Sequence, residues 1–121
     1  MTETVAILGA SSNPERYANQ AQHLLLEKGH RVIPVNPGEA EIDGIATLPA
    51  LADIREPVDT LTVYLRPALQ APLEAQILAL RPGRVIFNPG TENPALAAAL
   101  TGAGIASEEA CTLVLLKTNQ F

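Results

Sequence analysis

Short apolar runs alternate along the chain with longer segments in which apolar residues recur at every third or fourth position. The short runs predict buried strands, because a central parallel strand is covered on both faces and shows no apolar–polar alternation. Strands are predicted at about 4–8, 31–35, 60–65 and 84–87, with a short fifth strand near Ile105. The segments between them are long enough for crossover connections, which favours a parallel sheet.

The first periodic segment predicts a helix from about Pro14 to Lys28. Its apolar positions fall on one face, namely Tyr17, Ala21, Leu24, Leu25 and the alkyl stem of Lys28. Asn13 is suited to cap this helix, and Pro14 to its first position, where its missing N–H would have no intrahelical partner. Gly29 is predicted to end the helix in a left-handed conformation.

Two further helices are predicted at about 67–81 and 94–102. Residues 36–47 are predicted to form a loop, and 48–52 a short helical turn. The apolar run 111–116 fits either a last helix or an edge strand, since periodicity does not separate the two.

This alternation predicts an α/β fold. We expect a single Rossmann-like, doubly wound domain over residues 1–121, with a mostly parallel five-stranded sheet and helices on both faces. The expected strand order, numbered along the chain, is 3-2-1-4-5. In that order the chain reverses between the first and fourth strands, where open α/β sheets bind ligands. Gly9–Asn13 would then lie beside Asn88–Asn93 at the carboxyl edge of the sheet.

Composition narrows the class of partner. The chain has 121 residues, 47% of them hydrophobic, and a net charge of −5. Its eight basic residues form no run and aromatic residues make up only 3%, which argues against nucleic acid. No apolar stretch approaches the roughly 18 residues of a membrane span, and no secretory leader is visible, so we expect a cytoplasmic protein without a membrane partner.

The turn after the first strand is built from small residues, Gly9-Ala-Ser-Ser12. Their lack of bulk lets a ligand approach the backbone closely. The N–H groups at the start of the next helix, with the positive end of the helix dipole, predict a phosphate site. Arg16 would add a full positive charge there. The alternative is a strand–helix turn that binds nothing, since such turns are common in α/β folds.

Three features argue against a nicotinamide dinucleotide as the ligand. The turn carries one glycine, Gly9, where dinucleotide enzymes usually show G-x-G-x-x-G. The second strand ends in Val35-Asn36-Pro37, without the acidic residue that holds the ribose hydroxyls. The second half of a full dinucleotide fold is also missing from the chain.

A second group of polar and turn-forming residues, Asn88–Asn93, follows the buried fourth strand. Gly90 permits a close approach of the backbone, and the helix beginning near Asn93 offers a second set of free N–H groups. Glu92 is unfavourable for an anion site, so we expect it to face solvent or to bind a hydroxyl or amine of the ligand.

Several blocks of the sequence resemble the CoA-binding domain family, in particular its small stand-alone members. The blocks, in order, are Ile7-Leu-Gly-Ala-Ser11, Arg16-Tyr17, Lys28-Gly-His-Arg-Val-Ile-Pro-Val-Asn-Pro37, Pro57-Val-Asp-Thr60 with Tyr64, Val85-Ile-Phe-Asn-Pro-Gly-Thr-Glu-Asn93 and Glu109-Ala-Cys-Thr-Leu-Val114. The resemblance covers nearly the whole chain. This family is similar to the CoA-binding half of the succinyl-CoA synthetase α subunit, and it implies a Rossmann-like fold.

The resemblance implies a nucleotide ligand, coenzyme A or an acyl-CoA. It places the diphosphate in the turn after the first strand, the adenine and ribose at the end of the second strand, and the pantetheine beside residues 64–67 and 88–93. The binding residues expected are Gly9, Ala10, Ser11, Ser12, Asn13, Arg16, Tyr17, Val35, Asn36, Pro37, Tyr64, Arg66, Asn88, Gly90, Thr91 and Asn93.

The chain departs from its synthetase relatives at one position of this site. Those relatives carry a basic residue just after the Pro-Gly of the strand-two loop, suited to a ribose phosphate, where this chain has Glu39. The synthetase's phosphorylated histidine and second domain are also absent. The resemblance therefore does not extend to ligase activity.

No catalytic set can be brought together from the sequence. Cys111, the single thiol, is either a redox or mixed-disulfide site or a small buried residue. His23 lies on the first helix and His30 just before the second strand, so both are expected to face solvent. The three acids in residues 39–43 are expected to form a solvated loop rather than a metal site.

The function favoured by the sequence is non-catalytic binding of coenzyme A or an acyl-CoA at the carboxyl edge, as a sensor or as the partner of another enzyme. A protein partner or a homo-oligomer is left open. One alternative is a small enzyme acting on a nucleotide or acyl thioester, with Cys111 or Glu92 taking part. Another is an interaction scaffold that has lost its ligand, an alternative that Glu39 keeps open.

Overall fold

The computed structural model describes residues 2–121. Its strands are, in chain order, β1 (Thr4–Leu8), β2 (Arg31–Val35), β3 (Glu41–Ile42), β4 (Ile45–Ala46), β5 (Thr60–Val63), β6 (Arg84–Phe87) and β7 (Ala106–Glu109). Its α-helices are α1 (Tyr17–Glu27), α2 (Pro67–Gln70), α3 (Glu74–Leu80), α4 (Pro94–Gly102) and α5 (Thr112–Lys117). Two short 3-10 helices span Leu51–Asp53 and Ala71–Leu73.

Five strands form one parallel sheet in the order β2-β1-β5-β6-β7, while β3 and β4 form a separate antiparallel hairpin. The predicted α/β, Rossmann-like fold with a five-stranded parallel sheet is confirmed. The third of the predicted strands, β5, pairs with β1 on one side and β6 on the other. In the numbering of the prediction the order is thus 2-1-3-4-5, where 3-2-1-4-5 is expected from the sequence.

Pro34 gives the physical reason for this order. A parallel strand outside β2 would need an N–H from residue 34, and proline has none, which confines such a residue to edge strands. The outer side of β2 is instead met by the segment that follows it. Leu48 donates its N–H to the Pro34 carbonyl (3.0 Å) and accepts from the Asn36 N–H (2.9 Å). The third strand of the prediction therefore lies on the other side of β1.

Both faces of the sheet are covered by helices, as predicted. On one face, side chains of β1, β2, β5 and β6 pack with Ile77 of α3 and with Leu96 and Leu100 of α4. On the other face, β1 and β2 pack with α1 and with Leu116 of α5. A fully buried side chain of this size contributes about 1.5–3 kcal/mol of hydrophobic free energy, so packing on both faces stabilises the sheet that carries the loops at its edges.

The predicted start of the first helix is wrong, because α1 begins at Tyr17 and not at Pro14. The Asn13 side chain accepts a hydrogen bond from the Glu15 N–H (3.0 Å), so it closes a local turn instead of capping a helix. Tyr17 is 64% exposed and lies outside the core. The predicted end is confirmed, since Gly29 has φ +87°.

The second predicted helix is divided into α2, a 3-10 turn and α3. Pro72 lies in that turn, where it removes an N–H and would crowd the carbonyl one turn earlier in a continuous α-helix. The predicted loop 36–47 contains the β3–β4 hairpin, and the run 111–116 is helical. The third helix is confirmed, with the Asn93 side chain accepting from the Leu96 N–H (3.1 Å).

None of the helices in residues 2–121 has the length and apolar character needed to cross a lipid bilayer.

Candidate functional site

The loops that meet at the carboxyl edge are set by the strand order. With β1 between β2 and β5, the chain reverses between β1 and β5, and a ligand crevice is expected there. The predicted neighbourhood of Gly9–Asn13 and Asn88–Asn93 therefore does not hold, because β5 separates β1 from β6. The loop that adjoins Gly9 is instead the one that follows β5.

Gly9 is required by its surroundings as well as by its backbone. A Cβ at this position would lie 2.9 Å from Leu65 Cδ2 and 3.3 Å from the carbonyl carbon of Tyr64. Its φ of +89° is also one that other residues rarely adopt. The turn after β1 thus packs directly on the loop after β5, which closes the crevice at its base.

The loops after β1 and β2 are tied together by hydrogen bonds. The N–H groups of Gly9 and Ala10 both donate to the Val35 carbonyl, each at 3.2 Å. The Asn36 side chain donates to the Ala10 carbonyl (2.7 Å) and accepts from the Gly38 N–H (2.7 Å). We call residues 9–16 the β1 turn; its position relative to the loop after β2 is fixed by these bonds.

Side-chain acceptors occupy further N–H groups of the β1 turn. The Ser12 N–H donates to a carboxylate oxygen of Glu39 (3.0 Å), and the Asn13 N–H donates to the Ser11 hydroxyl (3.0 Å). The first two N–H groups of α1, those of Tyr17 and Ala18, have no acceptor within their helix. An anion bound here would replace the Glu39 carboxylate or bind beside it.

An apolar cleft of about 380 Å³ opens next to the β1 turn. It is lined by Leu8, Gly9, Val35, Asn36, Pro37, Pro49, Ala50, Leu51, Leu65, Leu69 and Leu73. Leu69 is 46% exposed, although its helical spacing with Leu73 predicts a core position. Pro72, which interrupts the helix, is the sequence signal that could have shown that Leu69 and Leu73 do not continue the buried helix face of Ile77.

Two larger surface grooves, of about 610 and 450 Å³, lie elsewhere on the molecule. The first runs between residues 51–57 and α3, and the second lies beside the β3–β4 hairpin. Neither includes a residue of the β1 turn or of the loops after β5 and β6. The apolar cleft includes Gly9, Val35, Asn36 and Pro37, so it is the cavity that we associate with the predicted site.

Tyr64, which follows β5, directs its ring to the face of the sheet covered by α1 and α5. Its hydroxyl is enclosed and finds no hydrogen-bond partner among residues 2–121. Burial raises the pKa of this phenol to about 12, although the nearby Thr112 and Thr62 hydroxyls act in the opposite direction. Tyr64 is therefore a neutral phenol at physiological pH.

Asn88 is a structural residue in this architecture. It is 2% exposed, and its side chain donates to the Thr62 hydroxyl (2.7 Å) and the Val63 carbonyl (2.9 Å). Its amide oxygen accepts from the Thr112 N–H (2.9 Å). Asn88 thus joins β5, β6 and the start of α5, and the structure leaves it no surface for a ligand.

Gln70 is a residue that sequence reasoning missed. It is fully buried, and its side chain donates to the carbonyls of Leu65 (2.7 Å) and Thr91 (2.8 Å). Its amide oxygen accepts from the Asn93 side chain (3.1 Å), so it links the loops after β5 and β6. The sequence signal of its burial is the i, i+7 helical spacing of Gln70 with the buried Ile77.

The remaining predicted residues lie at the surface of the carboxyl edge or close to it. Thr91 is buried, with its hydroxyl on the Asn88 carbonyl (2.8 Å). Gly90 is exposed, but its N–H donates to the Glu92 carboxylate (2.9 Å). Arg16 and Arg66 are both exposed, immediately before α1 and α2. These guanidinium groups are the positive charges available at this edge.

The other candidate groups do not form a catalytic set. Cys111 is half-buried just before α5. His23 is exposed and pairs with Asp43 (3.0 Å), while His30 is half-buried and accepts from the Glu3 N–H (3.0 Å). Across residues 2–121, no three His, Cys, Asp or Glu side chains are grouped so that they could hold a metal ion.

Comparisons with known proteins agree with the family resemblance and with the fold. Residues 3–117 match the family described as CoA binding domain. A solved structure described as an uncharacterized protein is 40% identical, with a TM-score of 0.95, and the match covers 100% of this chain and 99% of that one. The Thermus thermophilus structure of cell-free ID.343 is 36% identical, with a TM-score of 0.91, over 98% of this chain and 90% of its own.

A curated relative matches over a shorter stretch. The uncharacterized protein YneT of Bacillus subtilis is 29% identical over 65 residues. That stretch is 54% of this chain and 48% of YneT, so the match spans about half the length of the relative.

Proposed function

We propose that this chain, which belongs to the CoA binding domain family, binds coenzyme A or an acyl-CoA at the carboxyl edge of its sheet without catalysing a reaction. The protein would act in the cytoplasm as a sensor or as the partner of another enzyme. A homo-oligomer is compatible with either role. The ligand is a small nucleotide in each case, and neither nucleic acid nor a membrane takes part.

The observation that carries this proposal is the direct contact between a polar turn and an apolar cleft. The β1 turn and the cleft share Gly9, and the cleft also includes Val35 and Asn36. A ligand with phosphates at one end and an apolar or aromatic group at the other fits such a junction, and coenzyme A is one. Its diphosphate would bind the β1 turn and its adenine the cleft.

The site residues proposed from the sequence divide into two groups. Those that would touch the ligand are Gly9, Ala10, Ser11, Ser12, Asn13, Arg16, Tyr17, Val35, Asn36, Pro37, Tyr64, Arg66, Gly90 and Asn93. The buried pair Asn88 and Thr91 would act as positioning residues for the loop after β6. The proposal of a non-catalytic role is supported by Cys111, which forms no hydrogen bond with either histidine in residues 2–121.

Ligand binding can be tested on the purified protein by isothermal titration calorimetry and thermal shift. We expect coenzyme A and acetyl-CoA to stabilise the fold by about 2.7 kcal/mol at a hundredfold excess over Kd, since a ligand that binds only the folded state adds RT ln(1 + [L]/Kd). ATP and NAD serve as comparison ligands. Absence of binding by any CoA species to the folded protein at millimolar concentration would contradict the proposal.

The position of the ligand can be tested with Leu69→Glu. This change places a charge in the apolar cleft at an exposed helical position, so we expect at least a tenfold loss of CoA affinity with little change in stability. Val114→Glu is the matched control, because it makes the same change at an exposed apolar position on α5. Equal affinity in both variants would show that the cleft is not used.

A further inference from the structure

Glu39 places an acidic group in the crevice at a defined position. Its carboxylate accepts the Ser12 N–H (3.0 Å), so the side chain extends from the loop after β2 to the β1 turn. The loop that carries it is held by the two bonds of the Asn36 side chain, to Ala10 and to Gly38, both 2.7 Å. The acid that is missing directly at the end of β2 is thereby supplied a few residues later.

The charge of this carboxylate is not neutralised by a neighbour. Among residues 2–121, no Lys, Arg or His side chain forms an ion pair with Glu39. The acid next in sequence, Glu41, is exposed, and Asp43 is paired with His23. The corner between the loop after β2 and the β1 turn is therefore an acceptor of hydrogen bonds with a net negative charge.

A carboxylate at this corner distinguishes two kinds of ribose. In doubly wound folds, an acidic residue after the second strand accepts hydrogen bonds from ribose hydroxyls, whereas a basic one accommodates a phosphate on the ribose. A carboxylate has only acceptor oxygens, so it favours free hydroxyls and repels a phosphate at the same position.

We propose that Glu39 is a specificity-determining residue that makes this site prefer a nucleotide with unphosphorylated ribose hydroxyls over one with a 3′-phosphate. The inference rests on the proposed function, because it assumes that the ribose lies at the end of β2. Dephospho-CoA and coenzyme A are the matched pair of ligands, since they differ only in the 3′-phosphate. The preferred class is thus the dephospho-CoA type, with a free adenosine ribose.

The test is calorimetric titration of both ligands into the wild type and into Glu39→Gln, which removes the charge and keeps the shape. We expect the wild type to bind dephospho-CoA about tenfold more tightly than coenzyme A, because two like charges a few ångströms apart repel by more than thermal energy. In Glu39→Gln the ratio of the two dissociation constants should approach one, mainly because coenzyme A binds more tightly. Glu39→Lys should reverse the preference.

Glu41→Gln is the matched control, because it removes one exposed acid two residues away and should keep the wild-type ratio. The wild type offers a second measurement that needs no variant, since its preference should shrink in about 0.5 M salt as the repulsion is screened.

Three outcomes would overturn the inference. Equal affinity of the wild type for the two ligands would do so and would leave the proposed function intact. A gain in Glu39→Gln that is the same for both ligands would show that Glu39 competes with the diphosphate and does not recognise the ribose. Failure of both ligands to bind any folded variant would defeat the proposed function, and this inference with it.

Discussion

At the scale of single residues, the site shows how far a side chain's role depends on partners distant in sequence. Asn88 follows a predicted strand, and that position suggests a ligand contact. In the folded chain it bonds to Thr62 and Thr112, which lie 26 and 24 residues away. The local sequence identifies the asparagine but not the groups that lie within hydrogen-bonding distance of it. An asparagine directly after a buried strand can therefore bind a ligand in one protein and hold neighbouring elements together in another.

The raised pKa of Tyr64 makes the protein less stable in alkaline solution. The phenol ionises near 10.0 when solvated and near 12 when folded, so the unfolded chain loses this proton first as the pH rises. The contribution of Tyr64 to the free energy of unfolding is fully present below about pH 10 and is lost as the pH rises towards about 12. We expect the free energy of unfolding of the wild type, relative to Tyr64→Phe, to fall by about 1.4 kcal/mol between about pH 8 and about pH 11.

The measurement is urea unfolding of both proteins at the two pH values. In a Tyr17→Phe background Tyr64 is the only remaining tyrosine, so an absorbance titration of tyrosinate reports its pKa directly. A midpoint near 10, or a stability difference that does not change with pH, would show that water reaches the hydroxyl.

At the scale of elements, two Asn-Pro pairs that look alike in sequence have different roles. Asn93 caps α4 through the Leu96 N–H, with Pro94 in the first turn. Asn13 closes a turn, and α1 begins only at Tyr17. The helices themselves follow from periodicity, but their starts depend on which nearby donors the cap can reach, and that depends on the path of the preceding loop.

Replacing each asparagine by alanine tests this difference. We expect Asn93→Ala to lower the free energy of unfolding by at least about 1 kcal/mol, because α4 loses its cap and Gln70 loses a partner. Asn13→Ala is the matched control and should cost less than about 0.5 kcal/mol, as for a surface substitution. Chemical denaturation measures both, and equal losses would mean that Asn13 also supports a helix.

At the scale of the whole molecule, the sequence predicts the class of fold better than its arrangement. Apolar runs identify four strands of the sheet, β1, β2, β5 and β6, because burial on both faces removes the alternation of a surface strand. The fifth strand, β7, is a short and largely exposed edge strand that follows the buried Ile105. These four runs do not identify which strands are neighbours, because a similar apolar pattern fits several positions in the sheet. Pro34 is the residue that indicates an edge position for β2. With β2 at the edge, the ligand crevice is expected between β1 and β5, and not between β1 and β6 as predicted from the sequence.

The same arrangement predicts which parts of the chain open first. β5 is buried along its whole length and paired on both sides, so we expect its amides to exchange slowest, at the free energy of global unfolding. The β3–β4 hairpin has only two residues in each strand and should exchange fastest of the strands. Hydrogen exchange followed by mass spectrometry checks this order, and protection of the hairpin equal to that of β5 would contradict it.

Pro34 also has a consequence for association between molecules. Pro34 lacks an N–H, and Leu48 is hydrogen-bonded along the outer side of β2, so this edge of the sheet is closed. At the other edge, β7 pairs only with β6 in the described part of the chain. Unpaired strands are templates on which sheets grow from one molecule to the next. Within the five-stranded sheet only β7 offers such a template, so we expect growth of this sheet by strand pairing to end once two copies have joined. We therefore expect Pro34, together with the Leu48 segment, to prevent the native sheet from extending into fibrils.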